Sequence, residues 1–551
     1  MPGLSDAFDR IGAALEHHLP VSHAGGIALA VTDREEILGV AVRGFADAAS
    51  GQSVRPETRF EIGSISKSFA AAVVMQEVEE GRLDLHVSIN EILPWLELPE
   101  PFGPITLHHL LTHSSGLAIG TEDAPTGWGA AANLRSLPPT FAPGEHFWYS
   151  NDGYKLVGLA LERVTGVPIH DLIHQRLLAP LGMASSVAAI TDEARMDLAT
   201  GYEPMVYDRP PQLTHPLVPA TWLVSNTADG SIVSNAIDMS VYARFLLNRG
   251  EGPGGRILSE AAFAQLTSHH MQDRDDPEDP YANYAYGLAV EKPGASPRFI
   301  GHTGGMVGYT ALLRTLPDEG LGCVVLQNGY GNRSGVAEYA LAAVRASLAG
   351  DPLPEAAMPR DLEVHPRAGD FAGTYTGDRR TLEIAVEEGD RLRLKVGPLG
   401  VVLQQDPLEA PGDAFLVPHG SLDRYLLRFH RDPGGRVVEA FHGDEWFRGE
   451  AYHGPEPEPH PAGWEAFPGV YRSNVPWAEV MRIVLRKGRL AQIWPREGEF
   501  GGEDELTPLE DGWFAVGATW TPRRIRFDRI LDGKAAVAEY NGSRLYRSFE
   551  S

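Results

Sequence analysis

Between Gly350 and Pro366 the chain becomes rich in Pro, Glu and Asp, which reads as a linker. Before it, apolar residues recur repeatedly at helical spacing. After it, helical periodicity almost vanishes. A chain divided in this way has no single continuous core, and its 551 residues call for two to four domains. The helix-poor part contains a repeat. Phe371-Ala372-Gly373-Thr374-Tyr375 and Phe467-Pro468-Gly469-Val470-Tyr471 share Phe-x-Gly-x-Tyr. Alternating strands follow each, such as Leu392–Val396 and Ile483–Leu485. Similar closes end each, Ala440-Phe441-His442-Gly443 and Glu539-Tyr540-Asn541-Gly542. The stiff, proline-rich stretch 454–459 separates them. The expectation is two small antiparallel β-barrels related by duplication, at 367–454 and 463–551.

The first part, residues 1–352, reads as α+β. Leu4, Phe8, Ile11 and Leu15 mark an amphipathic helix. Gly26–Val31 and Ile37–Val42 look like a strand pair turning at 32–36. Ile105–Leu117 reads as a capped helix ending in a glycine turn. Further helices are expected at Tyr154–Thr165, Ile169–Leu178, Asn235–Asn248 and Val336–Leu348. Strands are expected at Tyr286–Glu291, Tyr309–Leu316 and Gly322–Gln327. Helices enclosed by early and late strands imply a sheet that joins both ends of the segment.

The chemistry points to Phe60-Glu61-Ile62-Gly63-Ser64-Ile65-Ser66-Lys67-Ser68-Phe69. The run that follows is helical, with Ile65, Phe69 and Val73 at spacing four. Positions three apart share a helix face, which brings Ser64 and Lys67 side by side in the first turn. The positive end of the helix dipole there disfavours an ammonium, and burial disfavours it further. A neutral lysine beside a hydroxyl is one way to activate a nucleophile. Ser-x-x-Lys also arises by chance, and a Ser at a helix start serves as an N-cap, so the tetrad needs support from elsewhere in the chain.

Composition narrows the function classes. A net charge of −27 argues against nucleic acid or anionic membrane as partners. The single cysteine, Cys323, lies in an apolar run and reads as a small core residue. No run approaches the roughly 20 apolar residues of a membrane span. The first residues lack the basic and apolar regions of a signal peptide, so a cytoplasmic location is expected. The pairs His109/His113 and His170/His174 stand four apart but lack the Glu of His-Glu-x-x-His, so no metal and no cofactor is expected.

Three pieces line up: Ser64-x-x-Lys67, Tyr149-x-Asn151 and His302-Thr303-Gly304. With them stand Leu107–Leu117, Pro143-Gly144, Pro180-Leu181-Gly182-Met183 and Gly301–Gly305. In these residues the chain resembles the serine β-lactamase and penicillin-binding superfamily, in its class C-like branch of esterases, D-aminopeptidases and related hydrolases. The resemblance covers about residues 8–350. It implies that Ser64 is acylated and that Lys67 helps remove its proton. It also implies that Tyr149 shuttles a proton to the leaving group, and that Asn151 holds the substrate carbonyl or Lys67. It places oxyanion donors at the Ser64 N–H and at about Gly305, on a strand carrying His302 and Gly304. The lactamases usually have lysine where His302 stands. A titratable imidazole there weakens the demand for a substrate carboxylate, which fits peptidases and esterases rather than a dedicated penicillinase.

An α+β hydrolase domain followed by two barrels is similar in architecture to three-domain D-aminopeptidases. There a loop of the last barrel limits the substrate to a short peptide end. The acidic, glycine-rich stretch 495–505 suits such a loop, with carboxylates that would receive a substrate ammonium. The sequence thus implies a serine peptidase or amidase acting on a small-molecule or short-peptide substrate. Stereospecificity and homo-oligomerisation are left open. Two other readings stand beside it: a carboxylesterase of the same fold, and a non-catalytic binding protein.

Overall fold

The computed structural model describes residues 3–120, 126–273, 282–291, 298–356, 359–407, 411–457, 459–477, 479–495 and 502–548. Its contacts divide the chain into two compact units. One comprises Met1–Glu203, Leu217–Met358 and Trp520–Pro522; the other comprises Pro204–Pro216, Pro359–Thr519 and Arg523–Ser551.

The first unit is built on an antiparallel sheet of nine strands among the described residues. Its centre is made by the strands His23–Thr32 and Leu321–Tyr330, which pair with Ala28 opposite Leu326. The two ends of the segment therefore meet in one sheet. Toward one edge stand Tyr309–Leu316 and Ile300–Met306; toward the other, Ile37–Asp47. The strand His23–Thr32 is apolar almost throughout because helices cover both of its faces. On one face the helices Leu4–His18 and Arg333–Ala349 bury Ile11, Leu15, Leu341 and Val344 against Ile27, Leu29, Val31 and Val325. Each such side chain contributes roughly 1.5–3 kcal/mol through removal from water. On the other face lies the helix Ala236–Leu247. Its Tyr242 ring stacks on Phe69 at 3.7 Å, and the Tyr242 hydroxyl donates to Ser68 Oγ at 2.8 Å. That contact ties down the helix Ser66–Glu79, whose residues 66–77 are all buried.

Some elements differ from the sequence expectation. The helix expected at Ile105–Leu117 is only Leu107–Leu111, capped by Thr106. It stops because His113 takes a left-handed conformation, φ +55°, which periodicity cannot signal. The strand expected at Tyr286–Glu291 is reduced to Ala289–Val290, since Gly287 at φ +66° breaks it. Gly287 is needed there, for a Cβ would lie 2.7 Å from the Lys67 carbonyl oxygen. Cys323 is buried in the core, and burial pushes its thiol up to about 12. No helix among the described residues is long and apolar enough to cross a membrane.

The second unit holds two antiparallel β structures. The strands between Gly373 and Gly449 form an eight-stranded sheet whose ends approach through the bridge Gln404–Leu416. The strands between Gly469 and Ser548 close fully into an eight-stranded barrel. The shared Phe-x-Gly-x-Tyr has the same physical role in both. Tyr375 is buried and its hydroxyl donates to the Phe371 carbonyl at 3.0 Å. Tyr471 is buried and donates to the Phe467 carbonyl at 2.6 Å. Each tyrosine thus fills its core while fastening the 3₁₀ turn at the start of its sheet.

The stretch expected to be an acidic loop is described only in part, because 496–501 lie outside the described residues. From Gly502 the chain is already strand, Gly502–Pro508. There Glu503 pairs with Arg486, Asp504 with Arg523 at 2.8 Å, and Glu505 with Arg489 at 2.8 Å. These three carboxylates are engaged by arginines of the same unit, which corrects the expectation that they wait for a substrate ammonium.

Candidate active site

Ser64 sits in the 3₁₀ turn Gly63–Ile65, immediately before the α-helix that begins at Ser66. The turn is tightened by glycines on both sides of a close backbone approach. Gly63 has φ +52°, and a Cβ there would fall 2.7 Å from Gly305 N. A Cβ on Gly304 would fall 1.9 Å from Ile62 O and 3.4 Å from Ser64 N. The strand Ile300–Met306 therefore lies directly on the turn, and the backbone around Gly305 comes next to that of Ser64. A side chain at Gly305 itself would meet nothing within 4 Å, so this glycine faces open space.

Lys67 is 0% exposed. Its Nζ lies 2.9 Å from Ser64 Oγ, 2.7 Å from Asn151 Oδ1 and 2.7 Å from the Asp229 carbonyl oxygen. Asn151 and Asp229 present carbonyl oxygens, which only accept, so Lys67 N–H groups point at both. The third direction faces the Ser64 hydroxyl. There an ammonium donates, whereas a neutral amine takes the hydroxyl proton into its lone pair. This geometry is suited to deprotonating a serine. Asn151 reaches the site as the first residue of the helix Asn151–Thr165. Its cap is Ser150, whose Oγ accepts from Gly153 N at 3.0 Å. The alternative role of Asn151 as an N-cap is thereby filled by its neighbour.

Tyr149 comes from the loop before that helix, with Lys67 Nζ 4.9 Å from its ring centre. The His113 ring packs on it at 4.1 Å. His113 Nδ1 accepts from Ser150 N–H at 2.9 Å, and the His113 carbonyl accepts from Trp148 N–H at 2.7 Å. One buried histidine thus holds both neighbours of Tyr149 in place. Its left-handed backbone gives it reach to them, and nothing in the sequence pattern announces that.

His302 is 2% exposed. Its Nδ1 bonds the Thr303 carbonyl, and its Nε2 lies 2.9 Å from the Tyr284 hydroxyl. A carbonyl only accepts, so Nδ1 carries the proton and Nε2 accepts from Tyr284. Burial pushes the His302 imidazole down to about 3, against the Thr303 hydrogen bond and with help from the Lys67 charge. His113 is pushed well below its ordinary value by the same burial and by Lys67. Both rings are neutral at physiological pH. The departure from the usual lysine is therefore a loss of positive charge, not a titratable substitute for it.

The site residues that sequence reasoning missed are Asp229, His113 and Tyr284. Asp229 acts through its backbone oxygen, for which no residue type is a signal. Conversely, His109 Nδ1 accepts from Thr106 N–H and His113 Nδ1 from Ser150 N–H, so each neutral ring carries its proton on Nε2. The first unit also includes Trp520, which lies flat on His146 at 4.3 Å and edge-on to Trp148, the residue before Tyr149. Thr140 Oγ1 donates to the Trp520 carbonyl at 2.6 Å.

Known proteins are similar to this chain in sequence and fold. The family model described as Beta-lactamase matches residues 13–347. "Penicillin-binding protein 4" of Amycolatopsis lactamdurans is 29% identical over 382 residues, covering 65% of this chain and 94% of that protein. The D-aminopeptidase of Brucella ovis is 28% identical over 401 residues, 70% of each chain. A solved octameric penicillin-binding protein homologue from Pyrococcus abyssi shares the fold, with a TM-score of 0.56 at 24% identity over 81% of this chain and 98% of that one. The matched span runs from the first helix to the last of the nine-stranded unit and takes in every residue gathered around Ser64, so the chain belongs to the Beta-lactamase family.

Proposed function

We propose that this protein is a serine hydrolase that opens amide or peptide bonds through an acyl-enzyme on Ser64. The observation that carries the reading is the position of the Lys67 amine nitrogen, fixed by two carbonyl oxygens with its remaining direction on Ser64 Oγ. In the first step Oγ bonds to the substrate carbonyl carbon and its proton passes to the Lys67–Tyr149 pair. The carbonyl oxygen gains the negative charge and is held by the N–H groups of Ser64 and Gly305. The C–N bond then breaks and the leaving nitrogen takes the proton, delivered by Tyr149. Water attacks the ester in the second half-reaction, returning a proton to Oγ and releasing the acid.

The neutral His302 supports a substrate without an obligatory carboxylate at that position. Similarity to a D-aminopeptidase supports amides or short peptides with a free amino end, D-configured at the residue cleaved. The test is a panel of D- and L-aminoacyl amides, short peptides and p-nitrophenyl esters, with fluorophosphonate labelling, on wild type and Ser64→Ala. The expected result is hydrolysis of D-aminoacyl amides and labelling, both lost in Ser64→Ala. Preference for esters would move the reading to a carboxylesterase, and absence of labelling in the wild type would refute it altogether.

A further inference from the structure

A cavity of about 100 Å³ lies in the first unit beside the strand that leads to Ser64. Glu61, Gly201 and Tyr309 line its buried part, Leu198 and Trp222 its sides, and the exposed Arg195 its mouth. None of the residues gathered around Ser64 lines it. Glu61 is 4% exposed, and among the described residues its carboxyl makes no hydrogen bond or ion pair. Its backbone is fixed by pairing with Val233 in a two-stranded ladder. Burying a carboxyl without a partner is costly, and burial raises this one to about 8. A buried, unpartnered carboxyl facing an open space needs an occupant. The nearby Tyr309 hydroxyl does not serve, since it donates to the Ala199 carbonyl at 2.7 Å.

The lining defines that occupant. A volume of this size holds about three waters at roughly 30 Å³ each, or a molecule of a few heavy atoms. The inner end offers a carboxyl. The mouth offers a guanidinium, held over the Trp222 ring at 5.2 Å, and the Trp222 indole is in turn held by Asp192 at 3.1 Å. Arg195 and Tyr309 are the other ionisable groups lining the space, and Tyr309 senses the charges of both Glu61 and Arg195. An ammonium complements Glu61 and a carboxylate complements Arg195, and both residues line the same cavity. We propose that this cavity binds a small free α-amino acid, its ammonium against Glu61 and its carboxylate toward Arg195. Glu61 precedes Ser64 by three residues and Val307 follows Gly305 by two, so the occupant would rest on both backbone segments that frame the Ser64 turn.

The proposal is independent of the hydrolase reading and is tested on the full chain carrying Ser64→Ala, which removes turnover. Glycine, D- and L-alanine and methylammonium are titrated calorimetrically at pH 7 in two buffers of different ionisation enthalpy. Expected is saturable binding of the amino acids with net proton release, since Glu61 must ionise to meet an ammonium. Glu61→Gln should weaken binding by roughly tenfold or more and abolish the proton release. Arg195→Ala, at an exposed position that leaves the fold unaffected, should weaken the amino acids but not methylammonium. Absence of saturable heat in the tens of millimolar overturns the proposal, as does undiminished binding by Glu61→Gln. Amino-acid binding by Arg195→Ala as tight as the parent's overturns it even if Glu61→Gln proves unfolded by circular dichroism.

Discussion

Lys67 illustrates how little freedom the site leaves a single residue. Its amine is fully buried and directed by Asn151 and Asp229 toward one hydroxyl. A guanidinium is planar, larger and never deprotonated in a protein. Lys67→Arg should therefore fail as completely as Lys67→Ala, with kcat lowered by about 10²–10⁴. Steady-state kinetics on the best amide of the panel checks this, and a Lys67→Arg enzyme with near-normal kcat would remove the proton-transfer role. His302 acts differently. Held neutral by burial, it contributes shape and a hydrogen bond with Tyr284 rather than charge.

At the scale of elements, the crossing of the strand Ile300–Met306 over the Ser64 turn is the critical contact. It is a backbone-on-backbone contact with no side chain to yield. Gly304→Ala places a carbon 1.9 Å from the Ile62 carbonyl oxygen and must push strand and turn apart. A displacement on the order of 1 Å can lower the rate by about a hundredfold. Gly304→Ala should retain most of its secondary structure by circular dichroism while losing activity on that scale; full activity would show that the crossing is looser than described. The two β structures of the second unit offer a paired experiment. Tyr375→Phe removes one hydroxyl bond to Phe371 O and should cost about 1 kcal/mol. Tyr471→Phe should cost more, because its hydroxyl also accepts from Arg547 at 2.9 Å. Denaturation midpoints of the two variants give the order.

For the whole molecule, buried ionisable groups set the dependence of stability on pH. His302 and His442 are pushed by burial from 6.5 to about 3 and about 4. The unfolded chain binds these protons first, so their contribution is complete above pH 6.5 and is lost on acidification below it. Glu61 works in the opposite sense. Its carboxyl, raised from 4.5 to about 8, stays protonated in the fold while the unfolded chain ionises. Stability therefore falls as pH rises from 4.5 to 8, by roughly 1.4 kcal/mol per unit for a fully coupled group. His18 and His108 are likewise lowered by burial to about 4, so between 4.5 and 6.5 the histidines outweigh the one carboxyl, which sets the maximum near pH 6.5. Melting temperatures across pH 4–9 should show it, and Glu61→Gln should flatten the decline between 6.5 and 8. An unchanged alkaline limb in that variant would mean Glu61 ionises normally.

Residue order alone determined the broad architecture and some of the residues that stand around Ser64. Periodicity reports burial: the helix of Leu4, Phe8, Ile11 and Leu15, the central strands and the helix-free second part follow from it because each element hides one pattern of side chains. Ser64 and Lys67 were legible from helical spacing, Tyr149, Asn151 and His302 from their resemblance to the family's motifs, and the structure gathers them. What it could not carry is anything that resides in the backbone or in distance. The Asp229 carbonyl, the left-handed turn of His113, the clash that keeps Gly304 a glycine and the unpartnered carboxyl of Glu61 depend on which segments fold against one another. A local string of side chains leaves those contacts undefined until the sheet brings its two ends together.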